Sequence, residues 1–508
     1  MKKNNVINEI NNKEMNETMN LNTSNKKNCR TNLSRLAALI LSVTLTSAAV
    51  PCQICSADEW GQGVYTCSEG NLDFYYCEDL GGYAVSCADK TVESVTIPAE
   101  VNGVPVTALR GGAFSECTNL KTIEIPDSVV SVGDDAFFGT QWLEDRKSEK
   151  GLVIVNGTLV NGQNAEGNVV IPDTVTSISA LAFRGNEKMF TLQIPDTVTR
   201  IGENAFDRCS NLTSADVSEN IDVIPAWMFS GCSSLTTVNI PEVVTAIETG
   251  AFCGCKSLEN ADIPETVGYI GGFAFDNTRW LENRASEDPC VVVNGILIDA
   301  GECKGSVVIP DGVTVIGNRA FNINDDVKKL TLPVSLKLID EEAFYSCKNL
   351  RTLDIPDSVE EIGSSAFLDC SNLRTVTIPE SVKKLGNNAF GGCDSLRNLT
   401  VKSRNCVIDS GMALPYGTVV YGYKGSTAEE YAVKNGLFFS ALDNSETIGQ
   451  NTPAGDVNKD EAVTNADFVA CVLDIISGSP AEESGSDINA DGKLDVTDLL
   501  VLRNILIA

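Results

Sequence analysis

Phenylalanine returns at residues 114, 137, 183, 206, 229, 252, 275, 321, 344, 367 and 390, always 23 or 46 apart. The apolar positions around it return with it. In residues 114–137 they are Phe114, Leu120, Ile123, Ile125, Val129, Val132 and Phe137. The pattern Leu-x-x-Ile-x-Ile-Pro over 120–126 predicts a short strand whose isoleucines point inward and that Pro126 ends. The segment from Val129 through Gly133 to Phe137 then carries the chain round the other side. A period of 23 is too short for two helices per repeat and fits one coil of a solenoid. Neighbouring strands would pair at roughly 4.8 Å and stack like residues into ladders. One coil buries too few side chains to offset the ordering of its backbone, so stacked neighbours must supply the rest.

At the two 46-residue gaps the chain leaves this template and repeats itself instead. TQWLEDRKSEKGLVIVNGTLV, from Thr140, and TRWLENRASEDPCVVVNGILI, from Thr278, are offset by 138 residues. Each holds Asn-Gly between β-branched runs, the signal of a two-residue hairpin turn. The expectation is a double-length coil with a protruding hairpin, a structural variation rather than a functional arm.

The flanks differ. Residues 1–57 read as a secretory leader, a signal peptide: Lys26, Lys27, Arg30 and Arg35 precede an apolar run over 36–50, and Ala48, Ala49 and Ala57 offer cleavage positions. That run is too short to span a bilayer comfortably, and no second apolar span follows. Cys52 and Cys55 form a C-x-x-C with no thioredoxin-like pattern around it. Residues 58–98 alternate aromatic and polar positions about Gly81-Gly82, predicting a β-hairpin that caps the N-terminal end of the repeats, which run over 99–401. A C-terminal cap is expected over 402–443: a strand, a short helix N-capped by Ser426 or Thr427 and ended at Gly436, and a last strand. A polar linker covers 444–454.

Charge and composition narrow the function. With 38 basic and 69 acidic residues the net charge is −31, which argues against nucleic acid and anionic lipid as partners. There is no histidine, so Ser-His-Asp triads, Cys-His dyads and His-ligated zinc are excluded. Seven of the 18 cysteines (Cys117, Cys209, Cys232, Cys255, Cys347, Cys370 and Cys393) stand three residues after the repeat phenylalanine, where other coils place Thr140, Asn186, Thr278 and Asn324. Interchange of Cys, Thr and Asn predicts small buried side chains facing the coil's own backbone, with free thiols. Export permits disulfides among Cys67, Cys77, Cys87, Cys253, Cys290, Cys303 and Cys406, with the connectivity open.

The C-terminal segment, 455–508, carries ion chemistry. DVNKDEAVTNAD begins at Asp456 and DINADGKLDVTD at Asp487. Both set oxygen-bearing side chains at loop positions 1, 3, 5 and 12, the spacing that wraps a hard cation in oxygen ligands. The predicted ligands of two calcium ions are Asp456, Asn458, Asp460 and Asp467, and Asp487, Asn489, Asp491 and Asp498. Ala462 and Lys493 would each add a backbone carbonyl. Glu461 stands where such loops usually place glycine, so the first loop is the less regular.

In-phase Ile-Pro, Ile-Gly and Ala-Phe-x-x-Cys over about 300 residues resemble the BspA-type leucine-rich repeat of secreted and surface proteins. The resemblance implies a binding scaffold with varied ligands and no shared catalytic residue. The paired loop-helix units, 31 residues apart, resemble a dockerin, the module that plugs proteins into cohesin domains of a cellulosome scaffoldin. That likeness implies cohesin contacts at Asn465, Ala466, Val496 and Thr497, with Arg503 at the rim. The expected fold is mainly β: a leucine-rich-repeat solenoid of 23-residue coils, plus a small all-α calcium-binding dockerin domain.

The residue after each strand leucine is Lys121, Phe190, Thr213, Thr236 and Glu259, then Lys328, Arg351, Arg374 and Arg397. The last four predict a basic column on an acidic protein, a ligand stripe for an acidic polysaccharide or an acidic protein surface. The leading function is thus a secreted, non-catalytic, cellulosome-associated protein. A polysaccharide-degrading enzyme is the alternative, and so is a surface adhesin. Leader, caps, repeats and dockerin leave no room for a catalytic domain with the two carboxylates a glycosidase needs.

Overall fold

A computed structural model describes residues 64–149, 151–409, 411–415 and 417–443. The chain parts into two compact units between Asn283 and Arg284. The first opens with an antiparallel meander of Val64–Glu69, Leu72–Cys77 and Gly82–Cys87. The predicted hairpin is there, its second turn made by Gly81 at φ 58°. The last strand of the meander pairs parallel with Val104–Leu109, which joins it to the coils.

The coils from Gly305 to Ile408 each contribute two short strands to two parallel ladders. In the second unit one ladder has seven strands, from Gly305–Val308 to Phe438–Ala441. The other, also of seven, starts at Val291–Val293 and takes in the two-residue Ile-Gly strands such as Glu361–Ile362 and Lys384–Leu385. Register advances by one period per rung: Thr352 pairs with Thr375 and Thr375 with Asn398. Leu330, Leu353, Val376 and Leu399 point inward and are buried, while Lys329, Thr352 and Thr375 between them are exposed. Alternation in the sequence has become an inside and an outside.

The repeat phenylalanines form the spine. In the second unit Phe321, Phe344, Phe367 and Phe390 stack with ring centroids 4.7, 5.0 and 5.3 Å apart, set by the strand spacing. In the first, Phe183, Phe206, Phe229, Phe252 and Phe275 do the same. The Ile-Gly glycine has a packing cause. A Cβ on Gly386 would lie 2.3 Å from the Ser364 amide nitrogen of the preceding coil, so any side chain there would push two rungs apart.

Two expectations need correction. The inserts are not double coils with protruding hairpins. Each begins with a nine-residue helix, Gln141–Glu149 or Arg279–Glu287. Their hairpins, turned at Asn156-Gly157 and Asn294-Gly295 with positive φ, lie at the edge of the Ile-Gly ladders, where Thr158 pairs with Ser177 and Ile296 with Val315. The helix starts because Thr140 and Thr278 accept the amide of Leu143 or Leu281 at 3.1 Å, as N-caps do. Trp142 and Trp280 lie 4.5 and 4.4 Å from Phe137 and Phe275, filling the place of the phenylalanine that the insert omits.

The second correction concerns the ladder cysteines, whose thiols are free. They face the preceding coil rather than their own: Cys347, Cys370 and Cys393 donate to the carbonyls of Phe321, Phe344 and Phe367 at 3.1, 3.2 and 3.2 Å. Burial pushes the Cys347 and Cys393 thiols up to about 12. Thr and Asn at this position bracket the inserts. Thr140 and Thr278 donate to their own coil and cap the helix, whereas Asn186 and Asn324 reach back to the carbonyls of the insert's closing turn.

The closing elements follow the sequence: Val419–Gly422, a helix over Thr427–Lys434 with Ser426 as its N-cap, and Phe438–Ala441. No described helix is long and apolar enough to cross a membrane.

Candidate ligand-binding face

The outward side of the second unit's Gly305–Val308 ladder is built from three columns. Two come from alternate strand positions: Lys329, Thr352, Thr375 and Asn398, and Thr331, Asp354, Thr377 and Thr400. Strand period places hydroxyls on this face at nearly every rung. Along its border run Lys328, Arg351, Arg374 and Arg397, all four exposed.

These four occupy one column in fact. The Arg351 amide donates to the Lys328 carbonyl at 3.5 Å, Arg374 to Arg351 at 3.4 Å, and Arg397 to Arg374 at 2.9 Å. Successive cations are therefore about one strand spacing, roughly 5 Å, apart at the backbone, where two unit charges in water repel by about 1 kcal/mol.

Nearby carboxylates do not neutralise them. Lys328, Arg351 and Arg374 form no ion pair with any described residue, and the Arg397 guanidinium donates to the Asp394 and Leu396 carbonyl oxygens. Elsewhere in the same unit the molecule shows what a balanced column looks like. On the Ile-Gly side Lys383 bonds Glu360 of the preceding coil at 2.6 Å, Lys337 lies 3.5 Å from the same carboxylate, and Lys384 bonds Glu361 at 2.7 Å. The Lys383 ammonium holds Glu360 below the ordinary glutamate range.

The first unit settles the same position internally. Lys121 pairs with Glu93 at 3.6 Å and Glu259 with Arg279 at 3.9 Å. Thr213 and Thr236 turn their hydroxyls onto the carbonyls of Phe190 and Thr213 at 2.9 and 3.0 Å. Phe190 is exposed. Among the described residues, only the second unit leaves this column with unpaired positive charge.

Among the described residues no group of three or more His, Cys, Asp or Glu is placed to hold a metal. The calcium set (Asp456, Asn458, Asp460, Ala462, Asp467, Asp487, Asn489, Asp491, Lys493, Asp498) and the cohesin-facing set (Asn465, Ala466, Val496, Thr497, Arg503) lie outside the described residues, as does the leader.

A family profile described as BspA type Leucine rich repeat region matches residues 79–161, 154–282 and 302–412 in six copies, together more than half of the chain. The chain belongs to the BspA-type leucine-rich repeat family. A second profile, Dockerin type I domain, matches residues 454–507, so this BspA-type protein carries a dockerin at its C-terminal end. Solved structures similar to it include a leucine-rich repeat protein from Bacteroides ovatus, 22% identical, covering 74% of this chain and 100% of that one at a TM-score of 0.31. A leucine-rich cell surface protein from Faecalibacterium prausnitzii is 24% identical over 72% of this chain and 97% of its own, at 0.34. The pneumococcal vaccine antigen PcpA is 19% identical over 74% and 97%, at 0.30. No curated protein matches significantly.

Proposed function

We propose that this BspA-type protein is an exported, non-catalytic component of a cellulosome-like assembly, in which the dockerin anchors and the repeats bind an acidic polysaccharide. The reading divides the chain into a leader (1–57), caps (58–98 and 402–443) flanking the repeats (99–401), a linker (444–454) and the dockerin (455–508). The dockerin profile supports the anchoring half. Its loop donors are all oxygen, a set that fits a hard cation such as calcium, so cohesin binding through Asn465, Ala466, Val496, Thr497 and Arg503 depends on that ion. The two loops differ at these contacts, Asn-Ala against Val-Thr, which favours one docking orientation over two equivalent ones.

One observation carries the ligand half: a column of exposed cations without described carboxylate partners beside two strand columns in which five of the eight positions are threonine. A polyuronate or sulfated glycan presents anionic groups at regular intervals with hydroxyls between them, and both kinds of group find complements on this face. An acidic protein surface would use the cations and leave the hydroxyl columns idle. A panel of acidic and neutral glycans and acidic proteins, offered to the full chain, tests the reading. Retention on acidic glycans that weakens with salt is expected; retention on neutral glycans or on proteins alone contradicts it.

A further inference from the structure

The duplicated inserts differ at two positions that face each other. Cys290 precedes the first strand of the second hairpin, Val291–Val293, and Cys303 follows its second strand, Ile296–Asp299. Their sulfurs are 3.3 Å apart, and both residues are buried. In the first insert, 138 residues earlier, the matching positions are Leu152 and Ala165, which cannot form a cross-link. Both cysteines are present in one copy and both absent from the other, as a bonded pair requires.

The ladder cysteines lack this arrangement. They project in parallel from stacked rungs and donate to phenylalanine carbonyls, whereas Cys290 and Cys303 approach across the open end of an antiparallel hairpin. We infer that Cys290 and Cys303 form a disulfide in the exported protein, closing the base of the Asn294-Gly295 hairpin. Val291–Val293 and Gly305–Val308 are the edge strands of the second unit's two ladders, so the bond would clamp the rung at which both begin.

The chemistry balances with an oxidant of the thiol-disulfide exchange class. Cys290, which its hydrogen bond with Cys303 holds below the ordinary thiol range, loses its proton first. Its thiolate attacks one sulfur of the oxidant's disulfide and releases the other as a thiolate. Cys303 then gives up its proton and attacks the Cys290 sulfur, forming the intramolecular bond and freeing the oxidant's second sulfur. Two protein protons leave, and two electrons convert the oxidant's disulfide to two thiols.

The test uses the full chain, secreted or equilibrated with glutathione disulfide, then unfolded and alkylated without reductant before peptide mapping. The expected map holds a Cys290–Cys303 cross-link, while Cys347, Cys370 and Cys393 are alkylated in the same digest. Alkylation of both Cys290 and Cys303 before reduction would overturn the inference. In Cys303→Ser, Cys290 should become fully alkylated; continued protection would mean another partner and would also overturn it. The Cys290→Leu, Cys303→Ala variant copies the first insert. Its Tm should not respond to dithiothreitol, whereas that of the parent falls by about 4–8 °C. A parent whose Tm ignores the reductant would count against the clamp.

Discussion

The amide of Arg374 donates to the carbonyl of Arg351 at 3.4 Å, so two guanidinium-bearing residues stand one above the other in successive coils. Neither forms an ion pair with a described carboxylate. A repeat fold makes such a column from any position at which successive coils keep the same charge. The penalty is small in water and would become an attraction when a polyanion lies along the column.

The spine sets the stability of the stack. Phe344 is fully buried between Phe321 and Phe367, and Phe344→Ala should cost about 3–5 kcal/mol in urea unfolding. Gly386→Ala adds a single methyl group, yet its Cβ would meet the Ser364 nitrogen at 2.3 Å. A loss of about 1–3 kcal/mol is expected from that change.

Asp340 takes the place of the glycine in its coil. Burial first, and then the charges of Glu341 and Glu361, push its carboxyl up to about 6 from 3.8. Between those two values the folded protein keeps a proton that the unfolded chain has lost, so stability falls as pH rises through the window and the loss is complete above it. Asp340→Asn should flatten the profile from about pH 4 to 6 and raise stability at pH 7 by about 1–2 kcal/mol, measured by urea titration at each pH.

Calcium should control one activity and leave the other alone. With excess chelator, or in Asp456→Ala with Asp487→Ala, cohesin affinity is expected to fall by roughly 100-fold or more. Retention on acidic glycans and the far-ultraviolet signal of the repeats should change little. Calorimetry with and without calcium, using the full chain, reads both effects.

Much of this was legible because a repeat turns register into geometry. Subtracting residue numbers was enough to find the phenylalanine spine, the inward strand positions and the column through Arg351 and Arg374, since residues one period apart stack. The insert helices were missed because each spans nine residues and the β-branched hairpin beside it dominates the pattern. The available signal was the threonine replacing cysteine just before Trp142 or Trp280, which is an N-cap. The direction of the cysteine side chains could not be read either, because own coil and preceding coil differ by a backbone rotation that composition does not encode. The unpaired state of the cations needed coordinates. Asp354, a nearby acid in sequence, forms no ion pair with the column.

The most direct measurement is the affinity of the full chain for a soluble polyuronate, at low and at physiological salt, with and without Arg351→Glu and Arg374→Glu together. The reversal should weaken binding by at least about tenfold at low salt and reduce its salt dependence, while urea unfolding stays within about 0.5 kcal/mol of the parent. Unchanged affinity and an unchanged salt slope in a folded double variant would contradict the assignment of this face as the binding site.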